Sequence, residues 1–133
     1  MCLISYCALI FSCNNFDEKH IVGPYHLAYT DISEQTTIYY EVEGFGSVGV
    51  IPETVYSVGY NNSFIVAKQH PYSDENGMNR TITNYFIIPI ASQTTFTPEA
   101  GVIGPLGETE FKEKIMELNK EPIEFSISIN KLK

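Results

Sequence analysis

The sequence predicts an α+β domain: an antiparallel β-sheet of five to seven strands, with one helix near the C-terminus packed on one face. Three observations carry this. Short β-branched and aromatic runs recur from residue 25 onward, several alternating in polarity. A helical period occurs in one stretch, residues 108–118, late in the chain and just before the last strand. The nine Tyr and eight Phe, with no Trp, suit half-buried pleated surfaces.

Residues 25–31 alternate and form the first predicted strand. Residues 36–43 form the second, with Ile38, Tyr40 and Val42 on one face and Tyr39, Glu41 and Glu43 on the other. Gly44, Gly46 and Gly49 then break the pattern into a loop. Val55-Tyr56-Ser57-Val58-Gly59-Tyr60 and Ser63-Phe64-Ile65-Val66-Ala67-Lys68-Gln69-His70 flank Asn61-Asn62, two residues that tolerate φ > 0, and this predicts a tight hairpin. Residues 71–79 are polar and read as a loop. Residues 83–91 are apolar on both faces, as in a central buried strand; Pro89 has no N–H and marks a bulge or the strand's end. Residues 94–107 read as a second long loop.

In the helix, Phe111, Ile115 and Leu118 fall at i, i+4 and i+7 and give one apolar stripe. Glu108 and Glu110 in the first turn complement the helix dipole, and Glu121-Pro122 ends the helix. Ile123, Phe125, Ile127 and Ile129 then alternate with Glu124, Ser126, Ser128 and Asn130, a strand with one wet face.

The N-terminus carries an address. Residues 3–11 are an apolar run of the length of a secretory h-region, about 7–15 residues, and far short of the ~20 that span a bilayer. It closes in Leu9-Ile10-Phe11-Ser12-Cys13, which resembles a bacterial lipobox. The likeness implies cleavage before Cys13, diacylation of its sulfur, and a tether to an envelope membrane. The chain then divides into a signal peptide (1–12), a polar linker after the lipidated cysteine (13–24) and a single domain (25–133). Everything before about Gly23 is expected to be dispensable for folding. Met1-Cys2 supplies only the α-amino charge where Lys or Arg is usual. The competing readings are a start further upstream, or a cytoplasmic chain whose first residues form a buried strand. The three cysteines, Cys2, Cys7 and Cys13, all precede residue 14, so cleavage leaves only a lipidated one and no disulfide framework. No C-x-x-C pair supports a zinc site.

The formal charge of −8, with eight scattered Lys and Arg, argues against nucleic acid and against docking on anionic lipid. Lys68, His70 and Tyr72 close a strand and open a loop, a place where sites are often grafted. Alternation puts Lys68 and His70 on the face of Phe64 and Val66, which makes the three a candidate binding rim; the competing reading is a strand leaving the core. Glu41 and Glu43 lie two apart on one face, roughly 7 Å between Cα atoms. That spacing invites glycosidase-type acid–base chemistry, but such a pair needs two different environments, and adjacent acids near glycines read as a solvated surface. His20, His26 and His70 show no metal spacing, and no nucleophile elbow G-x-S-x-G occurs. Asp74-Glu75-Asn76-Gly77 lacks the full calcium-loop pattern and reads as a turn. Residues 44–49 are followed by neither Lys-Ser/Thr nor a helix, so they are no phosphate loop. No catalytic residue, metal ligand or cofactor is assigned.

The lipobox, the run Val55 to Tyr60 leading to Phe64-Ile65-Val66-Ala67-Lys68-Gln69, the strand Tyr85-Phe86-Ile87-Ile88, and Gly104-Pro105-Leu106 before a helix with Glu110-Phe111 together resemble an uncharacterised family of small bacterial lipoproteins, a domain of unknown function. The resemblance covers about residues 25–125. It departs at Gly107, where a Ser/Thr helix cap is expected. The family brings no activity with it. The expected function is a lipid-anchored, non-catalytic interaction module meeting an envelope protein. The alternatives are an inhibitor or accessory subunit of an envelope hydrolase, whose acidic surface meets a basic partner, and a small enzyme with an unrecognised site. An exposed aromatic patch favours the first two; a pocket lined by buried carboxylates favours the third.

Overall fold

The computed structural model describes residues 18–133, so Cys13 and the lipobox lie outside the described residues. Strands β1 (Glu18–Val22), β2 (Tyr25–Ala28), β3 (Thr37–Val42) and β4 (Gly46–Gly49) form a four-stranded antiparallel meander. Strands β5 (Val55–Tyr60), β6 (Phe64–Gln69), β9 (Asn84–Pro89), β10 (Ile103–Leu106) and β11 (Ile127–Ser128) form a second sheet in the order β10-β9-β6-β5-β11. A two-stranded hairpin, β7 (Tyr72–Ser73) and β8 (Gly77–Met78), interrupts the β6–β9 connection, and α1 spans Glu108–Asn119. The architecture is α+β, with antiparallel strands and a helix near the C-terminus, the strands being shared among sheets of four, five and two. No helix among the described residues is long and apolar enough to cross a membrane.

The alternation seen in the sequence builds two cores. Ile38, Tyr40 and Val42 of β3 join Ile21, Tyr25 and Leu27 and pack on Val55, Val58, Ile65, Ala67, Phe86 and Ile88 of the second sheet. On that sheet's other face, Val66, Tyr85 and Ile87 pack under Phe111 and Ile115 of α1 and under Ile123. The second sheet is thus covered on both sides, which is why Tyr85, Phe86, Ile87 and Ile88 are all buried. β9 ends at Pro89, as its missing N–H requires. The hairpin forms as expected, but neither Asn61 nor Asn62 takes the positive φ the sequence suggested; the turn is held instead by the Asn61 side-chain oxygen, which accepts from the N–H groups of Ser63 (2.8 Å) and Phe64 (2.9 Å). The Asn61 amide nitrogen donates to Asn119 at 2.9 Å, which ties the hairpin to the end of α1.

Several sequence expectations need correction. The linker predicted over 13–24 contains β1, paired with β2 from Glu18↔Ala28 to Val22↔Tyr25. A bulge between His20 and Val22 breaks the alternation, so the strand's one buried residue, Ile21, stood without a visible period. The glycine loop after β3 is itself half strand. Gly44 and Gly46, at φ +82° and +101°, make the turn, and β4 returns along β3 with Val42↔Gly46 and Tyr39↔Gly49 in register. The long loop over 94–107 ends in β10. Gly104 (φ +142°) lets that edge strand lie against β9, since a Cβ there would sit 2.6 Å from the Phe86 ring.

Leu118 is 38% exposed, so the helix stripe stops at Ile115 and Ile123 completes the outer core after the turn. The helix start is fixed without a Ser/Thr cap. The Gly107 N–H donates to the Glu110 carboxylate at 3.1 Å, one half of a capping box. The last segment alternates in burial as predicted, but only Ile127 and Ser128 pair, with Val58 and Ser57. Ile123 and Phe125 pack in the outer core and Ile127 and Ile129 in the inner one, so the segment crosses the sheet's edge.

Candidate functional site

The turns gather at one end of the sandwich. Pro24, in the β1–β2 turn, accepts from the Glu41 N–H at 2.9 Å; Val42 accepts from the Phe45 N–H at 2.9 Å; Ser63 accepts from the Ile90 N–H at 2.9 Å. The loop after β9 is pinned to this end from below. Ala91 N–H donates to the Tyr25 hydroxyl at 3.0 Å, and Thr95 N–H to the Tyr40 hydroxyl at 3.3 Å. The two tyrosine rings stand edge to face, 5.0 Å apart, with their bodies in the inner core. Burial raises the Tyr25 pKa; the Ala91 bond opposes that and the nearby Tyr40 adds to it. A raised phenol pKa contributes stability that is complete below the ordinary value near 10 and is lost as pH climbs through the folded value.

Above these anchors the loop holds Phe96 out. It is 61% exposed and meets Phe45, 77% exposed, at the tip of the β3–β4 turn. The rings are edge to face with centroids 5.1 Å apart. They are the two most exposed large hydrophobic side chains among the described residues, and they come from loops about fifty positions apart in the chain. The neighbouring chain on both loops is acidic: Glu41 and Glu43 precede the turn and Glu99 follows Phe96, all exposed.

The predicted rim is not one surface. Lys68 is half-buried and lays its Nζ 4.6 Å from the centre of the Phe125 ring and 5.8 Å from that of Tyr85. It covers the outer core with its stem and charge. His70 is only 4% exposed, which corrects its placement on a rim. The bulge in β5 brings Tyr56 over it, the two rings stacked at 4.2 Å and 14°. Its Nδ1 lies 2.8 Å from the Ile82 carbonyl oxygen, so Nδ1 carries the hydrogen that bond needs, and Nε2 has no hydrogen-bond partner among the described residues. Tyr72 opens β7 and lines a separate groove of about 440 Å³ with Gln69, Asn84, Glu53 and Glu99.

The remaining histidines face out from the first sheet. His26 bonds Glu18 at 3.0 Å and stacks on Tyr39 at 6.0 Å; His20 Nε2 lies 3.0 Å from the Gly23 carbonyl oxygen. No three His, Cys, Asp or Glu groups among the described residues are placed to hold a metal. Glu41 and Glu43 are exposed, and no Asp or Glu among the described residues is buried, so the site offers no pair of carboxylates in contrasting environments. Asp74 to Gly77 turn β7 into β8, with the Asn76 N–H donating to the Ser73 hydroxyl at 3.1 Å.

Sequence reasoning missed the aromatic tip. Its one local signal was Phe45 between two glycines, an apolar side chain where turn chemistry calls for a polar one. Fold and tip together define a small α+β domain of two stacked antiparallel sheets with one covering helix. Residues 22–132 match the family described as "Protein of unknown function (DUF3997)", and the chain belongs to that family. No curated protein and no solved structure matches the chain.

Proposed function

We propose that this chain is a non-catalytic binding module of a bacterial cell envelope, tethered through a lipid on Cys13, and that its recognition element is the Phe45–Phe96 tip. The observation that carries the reading is that pair: two aromatic rings held in water by pinned loops, the kind of anchor that partners bury. Glu41 near the end of β3, Glu43 in the turn and Glu99 on the loop of Phe96 favour a partner with a basic surface, which also suits an inhibitor or accessory subunit of an envelope hydrolase. The tether reading rests on Leu9 to Cys13. β1 runs from Glu18, a few residues after Cys13, toward the end that carries the tip, so an anchor at Cys13 would hold Phe45 and Phe96 on the far side.

Two measurements test this. Expressed behind a competent signal peptide, the full chain should take up labelled fatty acid and Cys13→Ser should not; equal labelling removes the tether. The full chain carrying Cys13→Ser should capture an envelope protein from extract, and adding Phe45→Ser and Phe96→Ser should abolish that capture. Stability should change by no more than about 0.5 kcal/mol per exposed substitution. Undiminished capture by the double variant places recognition elsewhere.

A further inference from the structure

Among the described residues the two larger sheets end in four edge strands, and three of these are protected against further pairing. β1 is charged at Glu18 and Lys19 and bulged between His20 and Val22. β10 contains Pro105 and shifts register between Ile103 and Leu106. β11 is two residues long. β4, Gly46-Ser47-Val48-Gly49, has no charge, no proline and no break in its register with β3. The directions of its main-chain groups follow from the ladder. The Glu41 N–H bonds Pro24 on the β2 side, whereas Ile38 accepts from the Val50 N–H on the other. β3 thus turns its odd-numbered residues to β2 and its even-numbered ones to β4. Gly46 and Val48, across from Val42 and Tyr40, therefore bond β3, and the N–H and C=O groups of Ser47 and Gly49 point away from the sheet. Both residues are exposed. They lie across from Glu41 and Tyr39 on the meander's outer face, where their small size leaves those two side chains open to approach from the edge. Glu53 adds a second acid there: burial, and next the Glu53 charge, raises the Tyr39 pKa. Val48 points the other way and packs against the inner core.

We propose that β4 receives an extended segment of a partner protein as a further antiparallel strand, the segment reading basic–apolar–basic, with its basic residues across from Ser47 and Gly49. In that register Ser47 and Gly49 each exchange main-chain hydrogen bonds with the residue opposite, about four bonds in all. The basic side chains then share the outer face with Glu41 and Tyr39. β3 is two strand spacings away, about 10 Å, which a lysine or arginine stem covers over Ser47 to Glu41 and over Gly49 to the Tyr39 ring. The apolar residue between them points to the inner face beside Val48. Charge favours such a partner over a second copy of this chain. The formal charge is −8, and two β4 edges paired with each other would turn Glu41 and Glu43 of both copies toward one another. The edge is separate from the Phe45–Phe96 pair and does not depend on it.

The probe is the capped peptide Ser-Thr-Lys-Val-Lys-Thr-Ser, titrated into the full chain and followed by amide resonances and hydrogen exchange. It should bind saturably, shift the Ser47 and Gly49 amides first, and slow their exchange at least tenfold. Methylating the backbone nitrogens of both lysines, whose N–H groups face β4, should weaken binding at least tenfold; methylating that of the valine, whose N–H faces water, should leave it unchanged. Glutamate in place of both lysines should weaken it at least tenfold. Gly49→Pro removes one outward N–H and leaves the ladder to β3, so it should weaken the peptide by a similar factor. The methylated peptides act on the unaltered chain and decide the matter even where Gly49→Pro fails to fold. Absent or non-saturable binding, shifts confined to residues away from β4, equal loss from the two methylations, or full affinity for the glutamate peptide would each overturn the assignment. So would full affinity in a folded Gly49→Pro, and so would a dimer of the chain that Gly49→Pro abolishes, which would give the edge to a second copy.

Discussion

Alanine at Gly59 should destabilise the domain by at least about 3 kcal/mol, a large share of the 5–15 kcal/mol typical of a small domain. The cause is steric. Gly59 has no left-handed backbone angle to favour glycine; instead, a Cβ built there would sit 1.8 Å from the Glu124 carbonyl oxygen and 2.7 Å from its carbon. Those atoms belong to the segment that crosses from the outer core at Ile123 to the inner core at Ile127, and backbone cannot swing aside as a side-chain tip would. Moving the segment out would also draw Phe125 from its place beside Phe111, where the centroids lie 5.9 Å apart, and from under Lys68. Gly49→Ala is the matched control, since a Cβ there meets only a Tyr39 ring atom at 3.9 Å and should cost under about 1 kcal/mol. Urea unfolding of the two variants measures the difference; equal and mild effects would show that the crossing does not lie on Gly59.

That crossing shows what a sequence can and cannot carry. The alternation from Ile123 to Ile129 was legible because side chains at i and i+2 share a direction, and burial follows it residue by residue. That the first two side chains enter one core and the last two another depends on where the sheet ends, which no local pattern records. The same division runs through the whole chain. The stretch read as 36–43 became Thr37–Val42, 55–60 became Val55–Tyr60, 83–91 became Asn84–Pro89, and 108–118 became Glu108–Asn119. β3 and the helix bury side chains at a spacing that the sequence shows, and β5 and β9 bury continuous runs on both faces, which the sequence shows as stretches with no charged residue. β4 (Gly-Ser-Val-Gly) and β10 (Ile-Gly-Pro-Leu) have almost no side chains with which to show a period, and are strands because a neighbour's backbone offers a ladder. The candidate site follows the same logic. Phe45 and Phe96 meet only because Tyr25 and Tyr40 hold one loop against the other's end, and His70 left its predicted rim because the β5 bulge sets Tyr56 upon it.

Removing residues before Gly23 should cost about 3–6 kcal/mol, where the sequence alone suggested a dispensable linker. The cut deletes β1 with Ile21, which is 2% exposed in the inner core between the sheets. Losing a buried isoleucine costs about 2–5 kcal/mol on its own. The ladder to β2 adds backbone hydrogen bonds worth about 0.5–1.5 kcal/mol each, with pairs running from Glu18↔Ala28 to Val22↔Tyr25. Only part of that sum is felt, because β2's freed groups return to water. A chain starting at Asn14 and one starting at Gly23, compared by thermal unfolding, should differ by more than about 10 °C. Ile21→Ala in the longer chain separates the two contributions: it should reproduce about half or more of the loss while keeping the ladder. The shorter chain should also self-associate, since β2 becomes an exposed edge whose buried face holds Tyr25 and Leu27. If the two chains instead melt within about 3 °C of each other and stay monomeric, β1 is an ornament on a fold that closes without it.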